Sequence, residues 1–223
     1  MRTRPPMSRL GNLFGGFRAK KTAESRPDGE TRSALEWVIA GLGNPGEQYH
    51  RARHNLGFMM IDRIAGNRGV ELSRRRFKAL CAETKIAGRA AMLVKPQTYY
   101  NLSGESVAAI LGYFKVPVER LIVLHYDLDL QTGGLRLKRG GGDAGNRGVR
   151  SIAEVLDTPD FVRVRIGIGR PPGESDSKDY VLKPMTTAEI HAFDAIFDRI
   201  TEAVEAVITS GLERAMSQFN QRV

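Results

Sequence analysis

The sequence is nearly without cysteine, and that scarcity excludes several chemistries at once. Among 223 residues Cys81 stands alone, so no internal disulfide can staple the fold and no Cys-x-x-Cys pair is available. Its apolar-leaning surroundings read as those of a buried core thiol rather than a nucleophile. A lone thiol also points to a reducing compartment. Histidine is scarce as well, with four in the chain, and no His/Cys set has metal-ligand spacing. No run of 18 or more apolar residues occurs, so no membrane-spanning segment is expected. Residues 1–16 lack the unbroken apolar core of a secretory signal. A G-x-S-x-G elbow is missing, which removes one common serine-hydrolase signature.

What is present is enough for a real core. Apolar residues make up 41% of the chain, with nine Phe, six Tyr and seven Met, and the length fits one domain plus a tail. Charge is uneven. Eight of the 34 basic and three of the 25 acidic side chains fall in residues 1–35, so this stretch carries more than half of the formal +9. A basic excess favours a polyanionic partner, nucleic acid or an anionic surface, although a basic tail on an ordinary soluble protein gives the same sum. Residues 1–35 are expected to form a basic, disordered extension. Within it Leu10, Leu13, Phe14 and Phe17 have helical spacing. That stripe would suit docking or organellar targeting, against the plainer reading of an unstructured tail.

From residue 36 to 223 strand-like and helix-like segments alternate, which argues for a single α/β domain. Trp37–Ala40 reads as a buried strand before a glycine-rich turn. Residues 54–64 read as a helix. Cys81–Ile86 and Ala90–Val94 flank a turn at Gly88, as a hairpin would, so the sheet is expected to be mixed. Ser103 is placed to cap a helix with Val107, Ile110, Leu111 and Phe114 inside. Leu121–Leu124 is another strand, and Val149, Ile152, Val155 and Leu156 mark a helix. Residues 161–168 alternate cleanly, with Arg163 and Arg165 expected on a wet face. Thr186-x-x-Glu189 is a capping box opening a long helix that ends at Gly211.

Four segments are polar or glycine-rich where a fold alone does not require it. In Gly41-Leu42-Gly43-Asn44-Pro45-Gly46 the last pair breaks a dinucleotide-binding pattern. It leaves the Asn44 amide at a strand's C-terminal edge, where α/β sheets place ligands; stabilising the turn is the alternative role. Next comes Tyr49-x-x-x-Arg53-His54-Asn55. His54 precedes an apolar helical face and can act as a general base near neutral pH, or serve as a capping or core histidine. Pro96 to Gly104 carries Tyr99, Tyr100 and Asn101; the tyrosines can wall a groove or pack beneath the loop, and Asn101 offers both donor and acceptor. Last, His125-Tyr126-Asp127-Leu128-Asp129 leads to Arg136, Lys138, Arg139 and a glycine-rich run ending in Asn146-Arg147-Gly148. Positive charge beside glycines allows close phosphate contact, and a charged surface loop is the plainer reading.

In this order the four segments resemble the bacterial peptidyl-tRNA hydrolase family. The matching stretches are GLGNPGEQYHRARHNLGF, KPQTYYNLSGESV, HYDLDL, and RGGGDAGNRGVRSI followed by VRIGIGRP. The resemblance runs from Trp37 to the C-terminus. It implies one α/β domain with a mixed, twisted sheet of about seven strands surrounded by helices. It also implies hydrolysis of the ester between a peptide and the tRNA 3′ end, without metal or organic cofactor, by a cytoplasmic monomer with no stable protein partner. By position, His54 matches the histidine that activates water, and Asn44 the asparagine that tells peptidyl from aminoacyl ester. Asn101 matches the asparagine that positions the reacting carbonyl. Tyr49 and Tyr99 match aromatic positions of the 3′-end cleft, and Arg136 and Lys138 match basic positions suited to acceptor-stem phosphates.

Three positions depart from the family pattern. The acid that orients the histidine is replaced by Tyr126. Asp127 follows it and can substitute only if the strand turns or bulges there. The usual His-Asn after the glycines is Asn146-Arg147, both still expected to face substrate, and the residue before Asn101 is Tyr100 rather than methionine. These departures, with the basic tail, motivate an alternative: a non-catalytic RNA-binding relative like the plant organellar intron-splicing proteins of this fold. A dinucleotide-binding protein is a third reading, resting on the first glycine turn alone.

Overall fold

Hydrophobic runs set the framework. The computed structural model of the protein describes residues 34–171, 173 and 176–221. The Leu10–Phe17 stripe, and the extension up to residue 33, lie outside the described residues. Seven strands form one sheet: β1 (Trp37–Gly41), β2 (Arg74–Arg76), β3 (Ala79–Ile86), β4 (Arg89–Pro96), β5 (Leu121–Asp127), β6 (Leu135–Arg139) and β7 (Val162–Gly167). Their spatial order is β2-β3-β4-β1-β5-β7-β6. β1 pairs in parallel with β4 and β5, and β5 with β7; β2, β3 and β6 join antiparallel. The hairpin is real, and its two-residue turn is Ala87-Gly88, both at positive φ (48° and 78°), as a primed turn requires.

Among the described residues six α-helices complete the domain: α1 (Leu56–Asn67), α2 (Ser103–Phe114), α3 (Arg147–Leu156), α4 (Ser177–Leu182), α5 (Thr187–Ser210) and α6 (Leu212–Phe219). α1 packs on β1 and β5 so closely that a Cβ on Gly57 would collide with backbone atoms of Leu42 and Leu124. α2 and α3 meet at a second glycine contact, where Gly104 N–H donates to Ser151 Oγ at 3.0 Å. The capping box forms as expected, with Thr186 Oγ1 accepting from Glu189 N–H and the Glu189 carboxylate accepting from Thr186 N–H. Cys81 is buried in the core, and burial pushes its thiol up to about 11.

The structure corrects several expectations. Arg163 is buried, not wet: its guanidinium donates to the carbonyls of Gly141 and Gly142, at 2.8 Å each. The glycine-rich run folds over it, satisfying a charge that strand alternation alone would send to solvent. Ser103 opens α2 as its first helical residue and donates back to Tyr100 O at 2.9 Å, so Leu102 holds the cap position. β6 reads in sequence only as a basic cluster. Its edge is closed by Asn220, which pairs with both Leu137 N–H and Leu137 O.

Candidate active site

Because β4, β1 and β5 run parallel, their C-terminal ends open on the same side, and β1 is where successive crossovers diverge, first to β4 and then to β5. Such a switch point leaves a crevice beyond the strand ends. The loop after β1 carries Asn44, the loop after β4 carries Tyr99, Tyr100 and Asn101, and Tyr126 is the next-to-last residue of β5. A cleft of about 360 Å³ lies there, lined by these residues with His54, Leu128, Arg147 and α4.

Asn44 is locked by three hydrogen bonds. Its N–H donates to Asn55 Oδ1 and its carbonyl accepts from Asn55 Nδ2, both at 2.9 Å. Its Oδ1 accepts from Tyr100 N–H at 2.8 Å. That last bond fixes which way the amide faces and leaves Nδ2 as the donor toward the cleft. Asn55, fully inside, is therefore the residue that couples the first loop to the start of α1. The Arg53-His54-Asn55 triplet signalled it without revealing this task.

His54 sits in a single 3₁₀ turn, residues 53–55, immediately before α1. Its Nδ1 is buried without a hydrogen-bond partner among the described residues, which leaves Nε2 as the nitrogen meeting the cleft. Burial brings its pKa down from 6.5 to about 4, so the ring is neutral at pH 7. The neighbours are aromatic: ring centroids lie 3.8 Å from Tyr100 and 5.2 Å from Tyr126. Burial, then the charge of Asp127, pushes the Tyr126 phenol up to about 12, so it stays protonated.

Asp127 does not take the vacated acid position. β5 continues without a bulge through Asp127, which registers with Gly167, so its side chain leaves on the face opposite Tyr126. There Oδ2 accepts from Arg165 Nε at 2.6 Å and Oδ1 from Asp129 N–H at 2.9 Å. Burial alone would raise this carboxyl, but these bonds outweigh it and hold it below the usual range. Asn146 is likewise not a cleft contact. It is buried, and its Oδ1 caps α3 by accepting from Gly148 and Val149 N–H, while Nδ2 donates to Tyr100 Oη at 3.0 Å.

Of the remaining expected residues, Tyr99, Asn101 and Arg147 are exposed at the cleft, whereas Tyr100 is buried in its floor. Tyr49 is half buried in the turn at residues 47–49 and does not line the cleft. Arg136 and Lys138 also lie outside the lining. They stand on β6 directly opposite Arg165 and Arg163 of β7, forming a cross-strand ladder of four cations. Burial, and then Arg163 and Arg165, hold Lys138 below its usual pKa. The sequence reading missed α4 altogether. Ser177, Lys178, Val181 and Leu182 wall the cleft, and Asp176 caps the helix through Lys178 N–H. Arg53 anchors it by stacking on Tyr180 at 4.3 Å, donating to Tyr180 O and pairing with Glu189. A cap followed by Val-Leu before Pro184 was the available sequence signal.

No group of three or more His, Cys, Asp or Glu that could hold a metal ion occurs among the described residues. No helix among them is long and apolar enough to cross a membrane.

The sheet order, with Asn44, His54 and Asn101 gathered at its switch point, defines a single-domain α/β protein with a ligand cleft at the strand ends. The sequence profile of peptidyl-tRNA hydrolases matches residues 38–223, and the chain belongs to that family. Curated relatives include the peptidyl-tRNA hydrolase of Frankia casuarinae, 47% identical over 82% of this chain and 93% of its own length. That of Carboxydothermus hydrogenoformans is 43% identical over 83% of this chain and 98% of its own. Among solved structures, peptidyl-tRNA hydrolase from Acinetobacter baumannii superposes with a TM-score of 0.77 at 32% identity, covering 86% of this chain and 97% of that one.

Proposed function

We propose that this chain hydrolyses the ester joining a peptide to the 3′ end of tRNA, with His54 as the general base. The observation that carries the reading is the convergence of Asn44, His54 and Asn101 on one cleft. His54 Nε2 takes a proton from water as the water oxygen bonds to the acyl carbonyl carbon. In this reading the Asn44 and Asn101 amides donate to the oxygen that gains charge. Collapse then breaks the bond to the ribose oxygen, which receives the proton from His54. A free tRNA hydroxyl and a peptide acid result.

Arg136 and Lys138 on β6, part-exposed and held opposite Arg165 and Arg163, support an RNA substrate. Like charges held directly opposite destabilise a sheet, and phosphates meeting Arg136 and Lys138 offset that repulsion. Arg147 and Lys178 at the cleft rim extend the positive surface toward the reacting end. A cytoplasmic monomer acting on the acceptor stem and 3′ end belongs to the same reading. The non-catalytic RNA-binding alternative is not favoured, since the matching relatives are hydrolases over nearly their whole length. Release of peptide from peptidyl-tRNA by the purified protein tests the proposal. Wild type should turn over and His54→Ala should not; equal background rates for both would end it.

A further inference from the structure

The His54 ring needs a fixed plane if its Nε2 lone pair is to meet an attacking water, and in histidine–acid pairs a carboxylate supplies it. Here the acid's position holds Tyr126, and Asp127 is bound to Arg165 on the other face of β5. Yet the ring is not loose. Its shortest ring contact is the Tyr100 phenol, 3.8 Å between centroids and inclined at 32°.

Tyr100 is itself pinned at three points. Its N–H donates to Asn44 Oδ1, its hydroxyl accepts from Asn146 Nδ2, and its ring lies on Gly148, where a Cβ would come within 2.5 Å of Cε1. Asn146 caps α3 and Gly148 lies in its first turn, so the phenol is braced by a capped helix end. It is 3% exposed, too deep to be a principal substrate contact.

We propose that Tyr100 is the positioning residue for His54, its ring replacing the missing carboxylate as the group that orients the imidazole. This rests on the reading of His54 as the base. Stacking fixes the imidazole plane by contact rather than by a hydrogen bond. The electron-rich phenol faces, Tyr100 first and Tyr126 at 5.2 Å, also stabilise the imidazolium that forms when water gives up its proton. A cation over a tyrosine face is worth about twofold to about thirtyfold in rate. Around His54, the turn itself carries Arg53, β5 carries His125, Tyr126 and Asp127, α4 carries Lys178, Asp179 and Tyr180, α1 carries Asp62 and Arg63, and Tyr100 and Arg147 come from the loop after β4 and the start of α3. Of these Tyr100 and Tyr126 make the ring contacts.

The test compares Tyr100→Leu, which removes ring and hydroxyl, with Tyr100→Phe, which removes the hydroxyl alone. Leu should lower kcat about tenfold with KM within about twofold, whereas Phe should keep at least about a third of wild-type kcat. NMR of the wild-type full chain with labelled histidine should show the His54 Cε1–H shifted upfield by the phenol ring, with Phe preserving the shift. Unchanged kcat in Tyr100→Leu, equal losses in Leu and Phe, or a wild-type His54 signal without a ring shift would each overturn the proposal. The NMR result decides the matter even if Tyr100→Leu does not fold. If His54→Ala retains full activity, the reading of His54 as the base fails instead, and the ring shift still reports whether Tyr100 holds the imidazole.

Discussion

Replacing Tyr126 by aspartate puts a carboxylate on the cleft face of β5, beside the His54 ring, whose Nδ1 is buried without a partner among the described residues. For Nε2 to accept a proton, Nδ1 must carry the hydrogen, and an N–H buried without an acceptor costs about 1–3 kcal/mol. A carboxylate within reach, directly or through one water, removes that cost. At about 1.4 kcal/mol per tenfold in rate, the ceiling on the gain is roughly 10- to 100-fold. Losing the Tyr126 ring takes some of this back, so a net increase of about tenfold is expected. The carboxylate also favours the imidazolium, so the low-pH limb of kcat/KM should move up from about 4 toward 6.5. Initial rates on peptidyl-tRNA between pH 4 and 8, with NMR titration of the labelled imidazole, measure both effects. A folded Tyr126→Asp protein with a slower rate and an unmoved limb would refute the argument that His54 lacks a partner.

Four further outcomes follow from the same geometry. Asp127→Asn should leave the low-pH limb of hydrolysis in place but cost up to about 3 kcal/mol in urea unfolding, because Arg165 loses its buried anion; a shifted limb would restore Asp127 to the catalytic set. Gly57→Ala should destabilise by about 3 kcal/mol, the upper end for overpacking, since backbone and not a flexible side chain meets the new methyl; a loss below about 1 kcal/mol in the same assay would contradict it. His54 and His125 are both held by burial below the 6.5 of a free histidine. The unfolded chain therefore binds those protons first, and stability should be complete above about pH 6.5 and fall as pH drops toward 4; melting temperatures that do not change from pH 7 to 5 would be the contrary result. Lys138→Ala should lessen the dependence of log RNA affinity on log salt by about one unit while raising the melting temperature, because it relieves repulsion from Arg163 and Arg165; an unchanged salt slope would remove Lys138 from the RNA surface.

Local pattern carried much of the fold. Apolar runs marked β1 and β5, the turn at Gly88 announced the β3–β4 hairpin, and Thr186 with Glu189 announced α5, because each signal is complete within a few residues. β2 and β6 escaped notice since both are short, basic edge strands that pair on one side only, and polar edges resemble loops in sequence. α4 escaped because its six residues are fixed by Arg53 and by the Ala52–Pro184 bridge, through partners distant in the chain, and not by their own periodicity.

The sequence by itself determined the identities that meet in the cleft: Asn44, His54 and Asn101 stand in order beside turn-forming glycines, and residue type fixes what each can donate or accept. Tertiary structure alone decided how they are held. Strand alternation sent Asp127 to Arg165 and left Tyr126 beside the imidazole, and helix capping withdrew Asn146 from the cleft to brace Tyr100. A one-residue step along a strand reverses the face a side chain serves, and a cap is defined by backbone N–H groups it must reach; both depend on where neighbouring elements lie in space.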